Sequence, residues 1–253
     1  MTYFVMPHYI ASAELEQLAI NAIVSMRQTA DVFIVSVDDG SPLSTWFLED
    51  ISDFTIHIEK NSGFAKACNL GLQWCIDQGA DLIGCANNDI EVFDGWLRAL
   101  EYPFTQWDDV GVTGLISSKE RTLNSHPVEK YQVPKITEGG LLNHWMQSGG
   151  LWLSRSSVLK QVGLFDERFK VGGEEDVDLF WRMFESGYKL VMSGYSCFWH
   201  KEGATRWREG AKEKNKAIEQ KNYEKFKEKW GWDIRTDGLR FTENILEENG
   251  VKK

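Results

Sequence analysis

The four cysteines, Cys68, Cys75, Cys85 and Cys197, form no CxxC pair, and each lies among apolar residues. They read as reduced core thiols of a cytosolic protein, not as a disulfide framework. No run of about 18 apolar residues occurs, so no membrane-spanning helix is expected. The stretch from Met1 to Pro7 lacks a basic region followed by a long apolar one, so no secretory signal is visible. Positive charge is short: 28 bases against 38 acids leave a formal net charge of -10. Such a chain is not drawn over its whole surface to nucleic acid or to an anionic membrane. The placement read from these absences is cytoplasmic, with at most a peripheral membrane contact. There is no internal repeat and no low-complexity tract. No GxxxxGK[ST], GxSxG or HExxH motif is found, so the nucleotide-hydrolysing, serine-hydrolase and zinc-protease readings have no support.

What is present is ordinary for a soluble globular chain of 253 residues, 42% hydrophobic and 26% charged. Eleven Trp and fourteen Phe imply a large aromatic core or a ring-lined cleft. Tyr3 to Met6 reads as a buried strand ended by Pro7. Ser12 caps a helix with Leu15, Leu18, Ala19, Ala22, Ile23 and Met26 on one face. Val32 to Val37 is a second strand, stopped by Asp38-Asp39-Gly40-Ser41, and Ile56 to Ile58 a third. Asn61-Ser62-Gly63 turns into a helix over Phe64 to Asp77. Leu82 to Ala86 is a fourth strand, stopped by Asn87-Asn88-Asp89. Strands alternating with helices at this spacing predict an α/β fold: a mostly parallel sheet with helices on both faces.

After Trp96 the pattern changes. Val110 to Ile116 reads as a strand, Lys119 to Gly140 as a long polar loop, and Gly149 to Leu153 as another strand. Ser154 caps a helix ending near Gly163. Lys189 to Met192 is a strand leading to Cys197-Phe198-Trp199-His200. Thr205 to Lys229 is charged and helical, with Ile218, Tyr223 and Phe226 as inward contacts, and the last residues read as loosely ordered.

Parallel α/β sheets bind ligands beyond the carboxyl ends of their strands. Two polar clusters fall at that edge. A carboxylate at Asp38 or Asp39 can accept hydrogen bonds from a base imide or ribose hydroxyls; either cluster alone reads first as a polar turn, but the two together, with a glycine turn starting a helix nearby, point to a ligand edge. Asp89 and His200 are possible ligands for a divalent cation of the Mg or Mn type, although a lone histidine after an aromatic run also reads as a hydrogen-bonded core residue. Lys66 can meet a phosphate or stay exposed.

One stretch carries a different chemistry: Gly172-Gly173-Glu174-Glu175-Asp176-Val177-Asp178-Leu179-Phe180-Trp181-Arg182. Projected as a helix at about 100° per residue, Asp176 shares a side with Leu179, Phe180 and Met183. Glu175, Asp178, Arg182 and Glu185 fall on the other side, where Asp178 and Arg182 form an i,i+4 pair. The expectation is one carboxylate facing the protein body and the others facing water. Facing a cleft, Asp176 is placed to take a proton from a bound hydroxyl. The plainer reading is acidic capping of a solvated helix.

The order of these pieces resembles the family 2 glycosyltransferases of the GT-A fold, particularly the rhamnosyltransferase-like branch of bacterial surface-polysaccharide synthesis. The matching pieces are Val5 to Tyr9, Asp38 to Ser41, Asn61 to Gly71, Asn87 to Asp89, Gly163 to Phe169, Glu175 to Leu179 with Arg182 and Gly187, and His200. They cover roughly residues 3 to 230. The resemblance implies a nucleotide pocket with Asp39 (or Asp38) on the base and Tyr9 beside it, flanked by Asn61, Gly63 and Lys66. It implies that Asn87-Asn88-Asp89 stands for the DxD motif, with Asp89 as metal ligand, Asn87 near the ribose and His200 completing the site around Mn2+ or Mg2+. Asp176 matches the catalytic base of the Glu-Asp motif. Trp145, Gly149, Gly150, Trp152 and Glu175 are assigned to the acceptor side. The first acid of DxD is Asn here, and Lys66 stands where some relatives place arginine.

The implied domain plan is a catalytic domain over 1–204, with a nucleotide-sugar half (1–100) and an acceptor half (101–204), followed by a helical C-terminal extension (205–253) packed on it. The implied reaction is metal-dependent, inverting transfer from a UDP- or dTDP-sugar to an acceptor hydroxyl, in glycan or surface-polysaccharide synthesis. Three rivals stand beside it. A sugar nucleotidyltransferase would carry a glycine-rich basic loop after the first strand, and Pro7-His8-Tyr9 does not provide one. A non-catalytic sugar-nucleotide-binding module would not need Asp176 and Asp89 together. The same chemistry on a modified DNA base or a protein keeps every site residue and changes only the acceptor.

Overall fold

The computed structural model describes residues 1–118, 141–143, 149–201, 203–205 and 210–237. The expected loop over 119–140, Trp145 and the chain from 238 onward lie outside the described residues.

Strand β1 (Thr2–His8) is buried almost throughout and pairs in parallel with β2 (Val32–Asp39) on one side and β4 (Leu82–Ala86) on the other. The sequence places its end at Pro7, but the strand runs through Pro7 to His8. Pairing with β4 stops at Val5, so Pro7 has a strand neighbour on one side only, the edge-like setting in which a strand accepts proline. β3 (Phe54–Ile58) adds in parallel to β2.

Alternation along β1 explains the two cores. Val5 packs with Val35, Val37 and the inner face of α3 (Phe64–Asp77), including Cys68, Leu72 and Cys75. Phe4 and Met6 point the other way, against Ala22, Ile23 and Met26 of α1 (Ala13–Thr29). One sheet with helices on both faces follows directly from that period of two. Ser12 caps α1 as expected, its Oγ accepting the Leu15 N–H at 3.3 Å.

The second half is mixed. β8 (Leu151–Arg155) lies antiparallel between β4 and β6 (Val110–Ser118), and β6 runs parallel to β9 (Lys189–His200). The short strands β5 (Ile90–Val92) and β7 (Leu141–Asn143) each pair antiparallel with β9. The order is β3-β2-β1-β4-β8-β6-β9-β5, with β7 beside β9.

Neither β5 nor β7 stands out in the sequence, nor do α2 (Phe47–Ile51) and α4 (Trp96–Gln106). Ser154 does not cap a helix. It sits inside β8, buried, with its Oγ donating to the Gly111 carbonyl at 2.5 Å, and α5 (Ser156–Val162) starts only after Arg155. Helix α6 (Glu175–Glu185) stops before Gly187, whose φ is 84°. Helix α7 (Lys212–Trp230) begins later than Thr205, and its buried residues are Asn215, Asn222 and Phe226. The four cysteines are buried and unpaired. Among the described residues no helix is long and apolar enough to cross a membrane.

Candidate active site

A cavity of about 620 Å³ opens at the carboxyl ends of β1, β2 and β4, closed on the far side by the start of α6 and by α7. Its first wall is the end of β2. Successive strand residues point to opposite faces, so Asp38 and Asp39 part company. Asp38 accepts hydrogen bonds from Ser41 N (3.0 Å), Thr45 Oγ1 (2.7 Å) and His57 Nδ1 (3.2 Å), and it does not line the cavity. Burial pushes its pKa up, but those hydrogen bonds outweigh it and hold the carboxyl below its ordinary value. These bonds tie Asp38 into the turn, and of the two aspartates expected at the nucleotide only Asp39 is found in the cavity lining.

Asp39 does line the cavity. Oδ1 accepts Ser62 N at 2.6 Å and Ser62 Oγ at 2.7 Å, and Oδ2 accepts Gly63 N at 2.9 Å. Each carboxylate oxygen offers about two lone-pair sites, so Oδ2 can take one further donor. Gly40 makes this contact possible. At φ 65°, a Cβ there would lie 2.5 Å from Asn61 N, so only glycine lets the two loops meet.

His8, at the end of β1, also lines the cavity and is 1% exposed. Nε2 bonds Ser36 Oγ at 3.1 Å, and Nδ1 has no partner. Burial drives its pKa down from 6.5 to about 3, against a smaller upward pull from Asp38. The folded state therefore keeps this ring neutral while the unfolded chain protonates below 6.5. The penalty is absent above that pH and grows as pH falls toward 3, by up to ~1.4 kcal/mol per unit. Between pH 6.5 and 4.5 the wild type should lose roughly 2 kcal/mol that a His8→Gln variant keeps, read as denaturation midpoints against pH.

Beyond β4, Asp89 and His200 meet: His200 Nε2 lies 3.1 Å from Asp89 Oδ1 and 3.3 Å from Asn87 Nδ2. The backbone N–H of Ala204 donates to Asp89 Oδ2 at 3.3 Å. Asn87 Oδ1 is buried without a partner. These residues fit a hard divalent cation. Neighbouring ligands of an octahedral ion at about 2.1 Å sit about 3 Å apart, the spacing found here. Among the described residues no group of three or more His, Cys, Asp or Glu side chains could hold a metal, so any ion bound at this pair would need phosphate oxygens or water to complete its shell.

The last wall is α6. Asp176 lines the cavity, and its Oδ1 accepts the Val177 N–H at 2.8 Å. A Cβ built on Gly149 would fall 2.0 Å from Asp176 Oδ2, and one on Gly150 would fall 2.9 Å from His200 Cε1. The two glycines are thus pressed against the acid and the imidazole. Of the other carboxylates of α6, Glu185 is exposed as expected, but Glu175 and Asp178 do not face water. Glu175 is 4% exposed and lines the cavity. Asp178 is fully buried, bonded to Arg182 Nε (3.0 Å), Lys229 Nζ (2.6 Å) and Trp230 Nε1 (2.9 Å). The helical projection misses this because α7 covers the face that reads as solvated.

Tyr9, Asn61, Gly63, Asn87 and Asn88 line the same cavity. Lys66 does not: it is exposed on the outer side of α3. Trp152 does not either. It is fully buried with its ring edge-on to Phe165 and Phe180, in the same core as Val5, Cys68 and Leu179. Residues that the sequence does not assign to a site also reach the cavity, namely Val171 and Gly172 before α6, Thr205, and Lys214, Asn215 and Glu219 of α7. Nothing in the pattern of a charged helix marks these as cavity residues.

The glycosyl transferase family 2 model matches residues 3–163. A pre-mycofactocin glycosyltransferase of Mycobacterium tuberculosis is 30% identical over 173 residues, 62% of this chain and 35% of its own length. The chain thus spans about a third of the length of the curated relatives it matches. Its fold is similar to that of GalNAc-T7 solved with UDP, GalNAc and Mn2+ (TM-score 0.64, 12% identity, 99% of this chain and 59% of the other). It is also similar to S. aureus TarS 1-349 in complex with UDP-GlcNAc (TM-score 0.60, 13% identity, 94% and 75%).

Proposed function

Because this chain belongs to glycosyl transferase family 2, we propose that its cavity carries out metal-dependent, inverting transfer of a sugar from a nucleoside diphosphate to an acceptor hydroxyl. The observation that carries this is the convergence of Asp176, Asp39 and the Asp89–His200 pair on one cavity. Asp39 would accept an N–H of the base through Oδ2, with Tyr9 and Asn61 alongside, and Asn87 and Asn88 would lie by the ribose and diphosphate. Asp176 would take the acceptor proton as the hydroxyl attacks the anomeric carbon from the face opposite the diphosphate. Gly149, Gly150 and Glu175 would border the acceptor.

Among the described residues the lining includes the acids Asp39, Asp89, Glu175, Asp176 and Glu219 against one lysine, Lys214. Added positive charge would favour an anionic diphosphate among these acids. Asp89 and His200 would hold a divalent cation, which offsets charge on the departing diphosphate. A uridine-type donor is supported by the UDP and UDP-GlcNAc bound to the structural neighbours, and a role in glycan or surface-polysaccharide synthesis, on the rhamnosyltransferase-like pattern, by the motif order. Calorimetric titration with UDP tests the metal: chelating divalent cations, or Asp89→Ala, should weaken binding tenfold or more, about 1.4 kcal/mol. Unchanged affinity after both would remove Asp89 and His200 as ligands.

A further inference from the structure

The loop leading into α6 holds a backbone its sequence does not favour. Val171, Gly172, Gly173 and Glu174 have φ of 63°, 93°, 115° and 70°, four successive residues in the left-handed region. Glycine tolerates this, but for β-branched Val171 it is an outlier, kept only where the surroundings over-determine it. What fixes it lies in α7. Asn222 is fully buried; its Oδ1 accepts the Lys170 N–H at 3.1 Å and its Nδ2 donates to the Lys170 carbonyl at 2.8 Å. Both backbone groups of the residue before Val171 are thereby tied to one side chain. Lys225 Nζ holds the Arg168 carbonyl at 2.6 Å, and Lys229 bridges Asp166 (2.9 Å) to Asp178 (2.6 Å) on α6 itself. A helix that merely covered the body would bury an apolar side chain here. A buried amide spends both its groups on direction.

We infer that Asn222 is a positioning residue for Asp176: it locks residues 171–174 in the left-handed conformation and so holds the Asp176 carboxylate against Gly149. This rests on the reading of Asp176 as the base. If Asn222 acts through the loop, its loss should matter less once Val171 no longer resists that conformation. The experiment is a cycle of Asn222→Ala, Val171→Gly and the double variant in the full chain. Amide exchange and nucleotide release from UDP-GlcNAc with Mn2+ are both measured. In the wild-type background Asn222→Ala should speed exchange at 171–178 about tenfold and leave exchange in β1 and β2 unchanged. It should also lower kcat about tenfold at an unchanged KM for the nucleotide sugar, and both effects should shrink below about threefold in the Val171→Gly background. Unchanged exchange in Asn222→Ala, or an effect equally large beside Val171→Gly, overturns the proposal. Faster exchange with an unchanged release rate also overturns it, since the loop then loosens without displacing Asp176, whereas wild-type turnover by Asp176→Asn would instead remove Asp176 as the base.

Discussion

Replacing Asp176 by Asn should lower kcat by about 10²–10⁴-fold and leave nucleoside diphosphate affinity unchanged, the loss expected on removing a general base in the role proposed for Asp176. The substitution isolates the proton. Asn keeps the shape of Asp and its Oδ1, so it still accepts the Val177 N–H, a bond of 2.8 Å, and the start of α6 keeps its geometry. What disappears is the ability to take a proton from an incoming hydroxyl. Steady-state kinetics beside a UDP titration separates the two effects. A variant that turns over like the wild type would show that the acceptor loses its proton elsewhere.

Gly149→Ala should lower kcat by about 10²-fold, since misplacing a reacting group by about 1 Å has that cost. The methyl group would lie 2.0 Å from Asp176 Oδ2 and 2.8 Å from Asp176 Cγ. Something must yield, and the three atoms nearest the added methyl all belong to the Asp176 side chain, so that side chain is what shifts. Gly149 is not among the glycines with positive φ, so alanine meets no backbone obstacle there. The melting temperature should accordingly change little, with a stability loss of no more than about 1 kcal/mol. Full activity in this variant would mean that Asp176 does not work from the position found.

The first half of the fold is legible because each strand there announces itself. Val32 to Val37, interrupted only by Ser36, and Leu82 to Ala86 are apolar runs closed by polar clusters, and the same clusters deliver Asp39 and Asp89 to the cavity. Helix α4 hides for a local reason. Trp96, Ala99, Leu100 and Phe104 have helical spacing, but Pro103 sits within the helix and reads as its end. β5 and β7 have three residues each, too short for a period of two to register. Adjacent residues expose a second limit. Asp38 and Asp39 are equivalent as letters, and only pleating plus the Gly40 turn sends one to the loop and the other to the ligand edge.

The larger misreading concerns α6 and α7 together. Asp178 with Arg182 looks like a surface ion pair, and Lys229 and Trp230 look like the end of a solvated helix. In space they bury one another, so the face assigned to water becomes an interface. A helical wheel knows only its own helix. That same interface carries Lys214, Asn215 and Glu219 to the cavity, a contribution fixed by tertiary docking and invisible to periodicity.

The most direct test is a thermal-shift panel of nucleoside diphosphate sugars, each with and without manganese, on the wild type, Asp89→Ala and Asp176→Asn. At least one sugar nucleotide should raise the melting temperature of the wild type and of Asp176→Asn alike, with the shift depending on manganese and lost in Asp89→Ala. No shift with any sugar nucleotide, or one that persists in Asp89→Ala without manganese, would contradict the assignment of this cavity.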